Sequence, residues 1–453
     1  MRRIDRGALA VLPLCLSALL PVNLSAQGRE ERLSLSAAVR LALASHPSVA
    51  AARASETETA SRAREAAAAR LPQLTTQASL TRFELPMIVA PLHGFDPNRP
   101  PTFDRTLIQG NGQVGYLLFD GGARGARISG PRADASAAQA NVAAAVMGLT
   151  ARVTRAYLDV LSAQGRLEAQ DQSLAALGAE RSRVSQALEV GRAAQVDVLR
   201  VDAALAQAET ERVTTAADRD VAVAVLARLL GIPPDGVGPA RLAEVALQDT
   251  SGAASRDALL HRATAANPDL AAARQRRDAA DQARRVARAA WFPRLELGGG
   301  YLVYGSGAGD FTSEWQGALR VAYPLFQGGA RQSAVAAATA RADGAAEQYR
   351  LAELELLDAL DGAVARARAM RAGVAAVSRA VAHLAEVRRI EGLALEAGAG
   401  TQADFLRADA DLRRSRATLI EARHGEILAR VELLRLTGEL TPERLDQLVE
   451  SLP

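Results

Sequence analysis

The chain is written twice. Ser45-His46-Pro47-Ser48-Val49-Ala50-Ala51-Ala52-Arg53 aligns with Ala266-Asn267-Pro268-Asp269-Leu270-Ala271-Ala272-Ala273-Arg274 at an offset of 221 residues, His46 standing against Asn267. Tyr116-Leu117-Leu118-Phe119-Asp120-Gly121-Gly122-Ala123-Arg124 aligns with Tyr323-Pro324-Leu325-Phe326-Gln327-Gly328-Gly329-Ala330-Arg331, seven of nine identical at an offset of 207. Ala187 to Gly191 matches Ala394 to Gly398, and Asp197 to Arg200 matches Asp404 to Arg407, at that same offset. Such a chain must solve one burial problem twice, with one order of elements. The offset falls by 14 residues between Pro72 and Phe119, so the first repeat carries an insertion. The insertion includes Pro91 to Pro101, a loop composition. The expected divisions are 1–26, an export signal; 27–231, the first repeat; 232–252, a proline- and glycine-rich linker; 253–438, the second repeat; and 439–453, a tail.

Most of each repeat is alanine, arginine, leucine, glutamate and glutamine, all strong helix formers. No proline interrupts 132–190 or 331–397. Each stretch can make a helix of roughly 90–100 Å at 1.5 Å per residue. Helices of that length imply coiled-coil packing rather than a globular core. Pro131 has no counterpart in the second repeat and is expected in a first turn or at a kink.

Thirteen of the 16 aromatic residues fall within 72–120 and 291–326. There the helical composition gives way to alternation. Trp315, Gly317, Leu319, Val321 and Tyr323 share one face; Gln316, Ala318, Arg320 and Ala322 share the other. Leu295, Leu297, Tyr301 and Val303 alternate with Glu296, Gly298, Gly300 and Leu302. Leu74, Thr76, Ala78 and Leu80 alternate with Gln73, Thr75, Gln77 and Ser79, and Val114, Tyr116 and Leu118 with Gln113, Gly115 and Leu117. Strands of about ten residues with one apolar face, one polar face and aromatics near the ends mark a membrane barrel. Two hairpins are expected, at about 73–118 and about 294–325. Alternation alone also fits two hairpins packed on a soluble core. In lipid, four strands cannot close a barrel and an open edge is not viable. Two copies would give eight strands, a barrel filled by its own side chains. A conduit therefore needs three copies and twelve strands.

Residues 1–26 support the membrane reading. Arg2, Arg3 and Arg6 precede an apolar stretch from Ala8 to Leu20, and Leu24-Ser25-Ala26 suits cleavage. The only cysteine, Cys15, lies in that stretch, so cleavage leaves no thiol for disulfides, metal sites or catalysis. An uncleaved anchor is the alternative, but the run is short and broken by Pro13 and Pro21. After residue 26 no apolar run reaches the length of about 18 residues that a spanning helix needs. An exported chain of this kind can enter a membrane only with strands. Charge says little more. All 54 basic residues are arginines against 51 acids, well mixed, with no basic stripe for nucleic acid.

On these residues the sequence resembles the TolC-like outer-membrane efflux protein family (outer membrane factors). The likeness is carried by His46-Pro47 and Asn267-Pro268, and by the two strand-to-helix motifs ending at Ala123 and Ala330. It runs over about 33–438. It implies a mainly α fold with a small β membrane portion. The assembly would be a homotrimer whose 12-strand β-barrel, four strands per chain, sits in outer-membrane lipid and continues as a long antiparallel α-helical tunnel. It further implies a passive exit duct for small molecules such as drugs and toxic compounds. The duct would work with a periplasmic adaptor (a membrane fusion protein) and an inner-membrane pump of RND or ABC type. Type I protein secretion is the alternative cargo route. Neither a cofactor nor nucleic acid is implied.

The glycine pairs Gly121-Gly122 and Gly328-Gly329 are expected to turn strand into helix, since glycine accepts the unusual dihedrals. Gly298-Gly299-Gly300 and the glycines at 305–309 lack the following helix of a dinucleotide loop. Helix turnarounds are expected near 190–197 and 397–404. The resemblance assigns adaptor contact there to Gly191 and Arg192, and to Gly398 and Gly400, although the second repeat lacks the arginine. Asp404 aligns with a family position that rings the constriction with carboxylates, which would favour cations. Arg407 stands where the family has a further carboxylate, and either weakens that selectivity or forms a salt-linked gate with Asp404. Asp197 is the first-repeat counterpart of Asp404. A plainer reading has Thr401 capping a helix with Asp404 in its first turn, and Asp197 as a solvated helix-end acid.

None of the five histidines, His46, His93, His261, His383 and His424, pairs at metal-ligand spacing. No nucleophile elbow or phosphate loop occurs. The chain is read as a non-enzyme. The competing class is a periplasmic coiled-coil scaffold with its hairpins as docking elements.

Overall fold

The computed structural model describes residues 32–91, 98, 101–248, 255–397 and 399–452. The expected export signal, most of the insertion and Gly398 lie outside the described residues. The first repeat comprises α1 (Leu35–Ser45), α2 (Pro47–Ala68), β1 (Gln73–Ile88), β2 (Phe103–Phe119), α3 (Ala123–Glu189) and α4 (Gln195–Leu230). Two short 3-10 turns and β3 (Glu244–Leu247) follow. The second repeat comprises α5 (Arg256–Ala266), α6 (Pro268–Ala289), β4 (Arg294–Ser306), β5 (Phe311–Ala322), α7 (Ala330–Glu396) and α8 (Gln402–Leu436). Last come α9 (Pro442–Leu448) and β6 (Val449–Leu452), which pairs antiparallel with β3.

The proline-free stretches become α3 and α7, 67 residues each and so about 100 Å long. Pro131 lies inside α3, beyond its first turn. The helix tolerates the missing N–H there because one lost i→i−4 bond interrupts a long ladder. The strands exceed the expected ten or so residues, running to 16 and 17 in the first hairpin and 13 and 12 in the second. The surplus of β1 lies beyond Arg82, where the register with β2 shifts. Tyr323 falls just outside β5; Pro324 follows it and has no N–H for a ladder.

Two apolar clusters sit where the short helices meet the long ones. One gathers Leu35, Val39, Leu149, Tyr157, Leu226 and Ile427; the other gathers Ala263, Leu270, Leu356, Leu360 and Leu436. Tyr157 is fully buried, with its hydroxyl 2.7 Å from the carbonyls of both Leu33 and Ala243. Burial pushes its ionisation up, so the phenol stays a donor and ties the linker to α3. Asn267 caps α6 by accepting the Leu270 N–H at 2.9 Å, and donates to the Leu436 carbonyl at 3.0 Å. The asparagine-proline motif thus joins α6 to the end of α8. Gly438 closes the same corner at φ 72, where a Cβ would stand 2.1 Å from the Ala266 oxygen.

The four long strands form one antiparallel sheet in the order β1-β2-β4-β5. Next to it, α2 packs on α3, α3 on α6 and α6 on α7. Farther away, α4 packs on α3, α3 on α8 and α8 on α7. All three layers therefore end on the same two edges. One edge carries β1, α2 and α4; the other carries β5 and α7.

Candidate functional site

Directly opposed residues of antiparallel strands share a face, so the register sorts the sheet. Leu74 opposes Val114, which opposes Gly299, which opposes Gly317. Leu297 opposes Tyr116 and Leu319, and Tyr301 opposes Trp315. That face is apolar, with Leu74 and Trp315 each 80% exposed. On the other face Gln77 opposes Asn111, Gln113 opposes Gly300, and Gly300 opposes Gln316. Thr75, Gln109, Glu296 and Arg320 share that polar face. An exposed sheet with an apolar face, a polar face and unpaired outer edges on β1 and β5 does not suit water as its only surroundings.

Each strand returns to its helix through a glycine pair. Gly121 and Gly122 have φ 67 and 86, and Gly328 and Gly329 have φ 56 and 84. At Gly121 a Cβ would also stand 2.7 Å from the Phe292 Cβ, so the first junction closes on the turn between α6 and β4. Arginines lock both junctions. Arg124 donates to the Leu117 carbonyl at 2.6 Å and lies 5.4 Å over Tyr116. Its repeat counterpart Arg331 donates to the Leu325 carbonyl at 3.1 Å and lies between Trp291 and Tyr323. In the first repeat Arg127 also pairs with the buried Asp120 at 3.2 Å.

The opposite end holds the helix turnarounds at 190–194 and 397–401. Gly191 has φ 73 and Arg192 is exposed beside it. The Gly400 N–H donates to the Ala394 carbonyl at 3.0 Å, where a Cβ would crowd Ala394. Thr401 caps α8 by accepting the Asp404 N–H at 3.1 Å, and its hydroxyl meets the Asp404 carboxylate at 2.5 Å. Arg407 lies 3.8 Å from Asp404, and Arg200 lies 3.6 Å from Asp197 in the matching place. Both turnarounds therefore carry one aspartate-arginine pair at i,i+3. Asp197 is also a cap, because its carboxylate accepts the Ala194 N–H at 3.1 Å. Within one copy the two aspartates keep to their own turnarounds.

Two features escaped the reading from sequence. Arg181 bonds Asp202 at 2.5 Å across α3–α4, and Arg388 bonds Asp409 at 3.0 Å across α7–α8. Their common offset of 207 is the signal that could have found them. His424 is buried between α8 and α3, with Nδ1 2.6 Å from the Ser162 Oγ, and burial pulls its pKa down to about 4. Among the described residues no histidine, cysteine, aspartate or glutamate cluster suits a metal ion, and no helix is long and apolar enough to cross a membrane.

The family model of the outer membrane efflux proteins matches residues 38–232 and 259–439. The chain is 26% identical over 357 residues to the outer membrane efflux protein BepC of Brucella suis, covering 76% of this chain and 75% of that protein. It is 28% identical over 320 residues to the outer membrane protein TolC of Vibrio cholerae, covering 68% and 71%. The crystal structure of the outer membrane protein VceC of Vibrio cholerae superposes with a TM-score of 0.72 at 21% identity, covering 89% of this chain and 96% of that one. The chain belongs to the outer membrane efflux protein family. It is an outer-membrane channel protein of efflux or secretion systems that extends into the periplasm, and its family and fold are those of channels, not enzymes.

Proposed function

We propose that three copies close head to tail into an exit duct for small molecules, and that the amphipathic sheet with two open edges carries this reading. β5 of each copy pairs with β1 of the next, giving twelve strands with the apolar face toward lipid and the glutamine-rich face toward the lumen. The same step sets α7 against α2 and α4 of the next copy, which closes both helical layers into a tunnel. Every membrane-level backbone group then finds a partner. The duct supplies no energy. It receives cargo from an inner-membrane pump through a periplasmic adaptor. The adaptor contact belongs to the turnarounds, where Gly191, Arg192, Gly398 and Gly400 lie.

In the trimer the three Asp404 carboxylates form the constriction, with Asp197 and Arg407 beside them. Each Arg407 lies 3.8 Å from its own Asp404 on the same helix, so the pair moves with α8 as the gate opens, and being exposed it offsets the carboxylate charge only weakly. Planar-bilayer recordings of the purified protein test the reading. Cation-selective single channels are expected, and Asp404→Ala is expected to reduce that selectivity. Channels with unchanged selectivity in the variant would remove the carboxylate filter. A protein that forms no channel would remove the duct.

A further inference from the structure

Resting on that head-to-tail reading, which sets the α7–α4 seam between copies where the α3–α8 seam stands inside one chain, we propose that the seam between copies is held by an apolar stripe around Val213 and by Arg368 and Arg371 set against Asp220, in place of the polar contacts of the internal seam. The offset of 207 that maps α3 onto α7 also maps α4 onto α8. In the helical layer away from the sheet, α3 packs on α8 within the chain, while α7 and α4 form its two outer edges. Closing the ring therefore sets α7 against α4 of the next copy as α3 stands against α8.

The internal seam is specific and polar. Ser162 meets His424 at 2.6 Å, and Arg166 meets Glu421 at 2.9 Å. Beside them Gly165 is tight, since a Cβ there would stand 3.3 Å from Ile420 Cδ1. Carried across by 207, the α3 residues become Ala369, Gly373 and Ala372 on α7. The α8 residues become Ala217, Thr214 and Val213 on α4. The buried histidine and the ion pair are gone, replaced by small groups. Val213 is 66% exposed in a single copy, and the neighbour's alanines and glycine supply the shallow apolar surface that covers it.

The flank carries the charge. Leu161 and Gln164 line the cavity beside the internal seam together with Ile427. Their counterparts are Arg368 and Arg371 on α7, and Asp220 on α4. Arg368 and Arg371 are exposed, form no hydrogen bond or ion pair among the described residues, and rim a cavity of about 370 Å³. The next copy's Asp220, bonded among the described residues of a single copy only to the adjacent Arg219 at 2.7 Å, completes that rim. The partner is thus a second copy of this chain, recognised by an apolar stripe and by two arginines set against one aspartate.

Engineered cysteines test the seam directly. In a chain whose only cysteine is replaced (Cys15→Ser), Ala217→Cys is combined with Ala369→Cys, the counterparts of His424 and Ser162. Oxidation, or a short bis-maleimide, should give a covalent ladder of dimer and trimer on denaturing gels, and either single variant should give none. Val213→Cys with Ala372→Cys serves if the first pair does not assemble. Light scattering separates the two ways of failing. A trimeric particle without a ladder from either pair would overturn the seam, whereas a monomeric particle would overturn the assembly it rests on. For the flank, Arg371→Glu should lower the temperature at which the trimer dissociates, and adding Asp220→Arg should restore it. A double variant no better than the single would overturn the charge contact.

Discussion

Arg388 reaches Asp409 across the α7–α8 hairpin at 3.0 Å. The same bond occurs 207 residues earlier between Arg181 and Asp202, but the two settings differ. Asp409 is buried, pairs also with Arg413, and sits where the Arg388 guanidinium lies over the Phe405 ring. Val198 and Ala206 occupy the places of Phe405 and Arg413 in the first repeat, and Asp202 keeps more of its surface in water. The second hairpin is the more tightly clamped. Asp409→Asn should therefore destabilise the protein by about 3 kcal/mol, as breaking a buried pair does. Asp202→Asn should cost about 1 kcal/mol or less. Thermal unfolding of both variants in detergent checks the order, and equal losses would contradict it.

The glycine pairs are unequal too. Gly328→Ala meets only backbone strain, about 1–2 kcal/mol for a side chain at positive φ, because no atom lies within 4 Å of the added methyl. Gly121→Ala meets that strain and the Phe292 ring, which adds about 1–3 kcal/mol of overpacking. Gly121→Ala should lower the unfolding temperature further. A Gly121→Ala variant as stable as Gly328→Ala would contradict the contact with Phe292.

His424 gives the fold a slope against pH. Its pKa falls from 6.5 to about 4 because burial disfavours the imidazolium, with Glu421 partly opposing the shift. As pH drops through this window the unfolded chain takes up a proton that the folded chain refuses. Stability is therefore full above about 6.5 and declines toward pH 4, by on the order of 3 kcal/mol per chain. His424→Gln should flatten that part of the stability profile. An unchanged slope between wild type and variant would contradict the assignment.

Tyr157→Phe removes the donor that serves the Leu33 and Ala243 carbonyls. Volume is nearly kept, so the expected loss is that of a buried acceptor left short, about 1–3 kcal/mol. Hydrogen exchange should rise in the linker around Ala243 and stay unchanged in the sheet.

Much of the architecture could be read from residues because duplication and periodicity are properties of the chain itself. The proline-free stretches mark α3 and α7 as long helices, although α3 runs back through Pro131 to Ala123, and the alternation from Leu295 to Val303 and from Gln316 to Tyr323 fixes which face of the sheet is apolar. Contacts between distant helices were less legible. Arg181 and Asp202 lie 21 residues apart on different helices, in a chain with 54 arginines, so neither stands out until the repeats are overlaid. Asp197 was hidden for another reason. Ala194 offers no side-chain oxygen, yet its backbone N–H still donates to the Asp197 carboxylate, which makes the aspartate the cap. Pro131 is legible as an exception and not as a place, because a helix as long as α3 absorbs a missing bond that would end a shorter one.

The most direct measurement is the mass of the detergent-solubilised particle from purified outer membranes, taken by light scattering and corrected for bound detergent. One chain is 47.5 kDa with its expected export signal. A particle of three chains, recovered from the outer membrane, is what closure of β5 on β1 and of α7 on α4 requires. A single chain or a pair, stable in buffer without detergent, would contradict the barrel and leave the helices as a periplasmic scaffold.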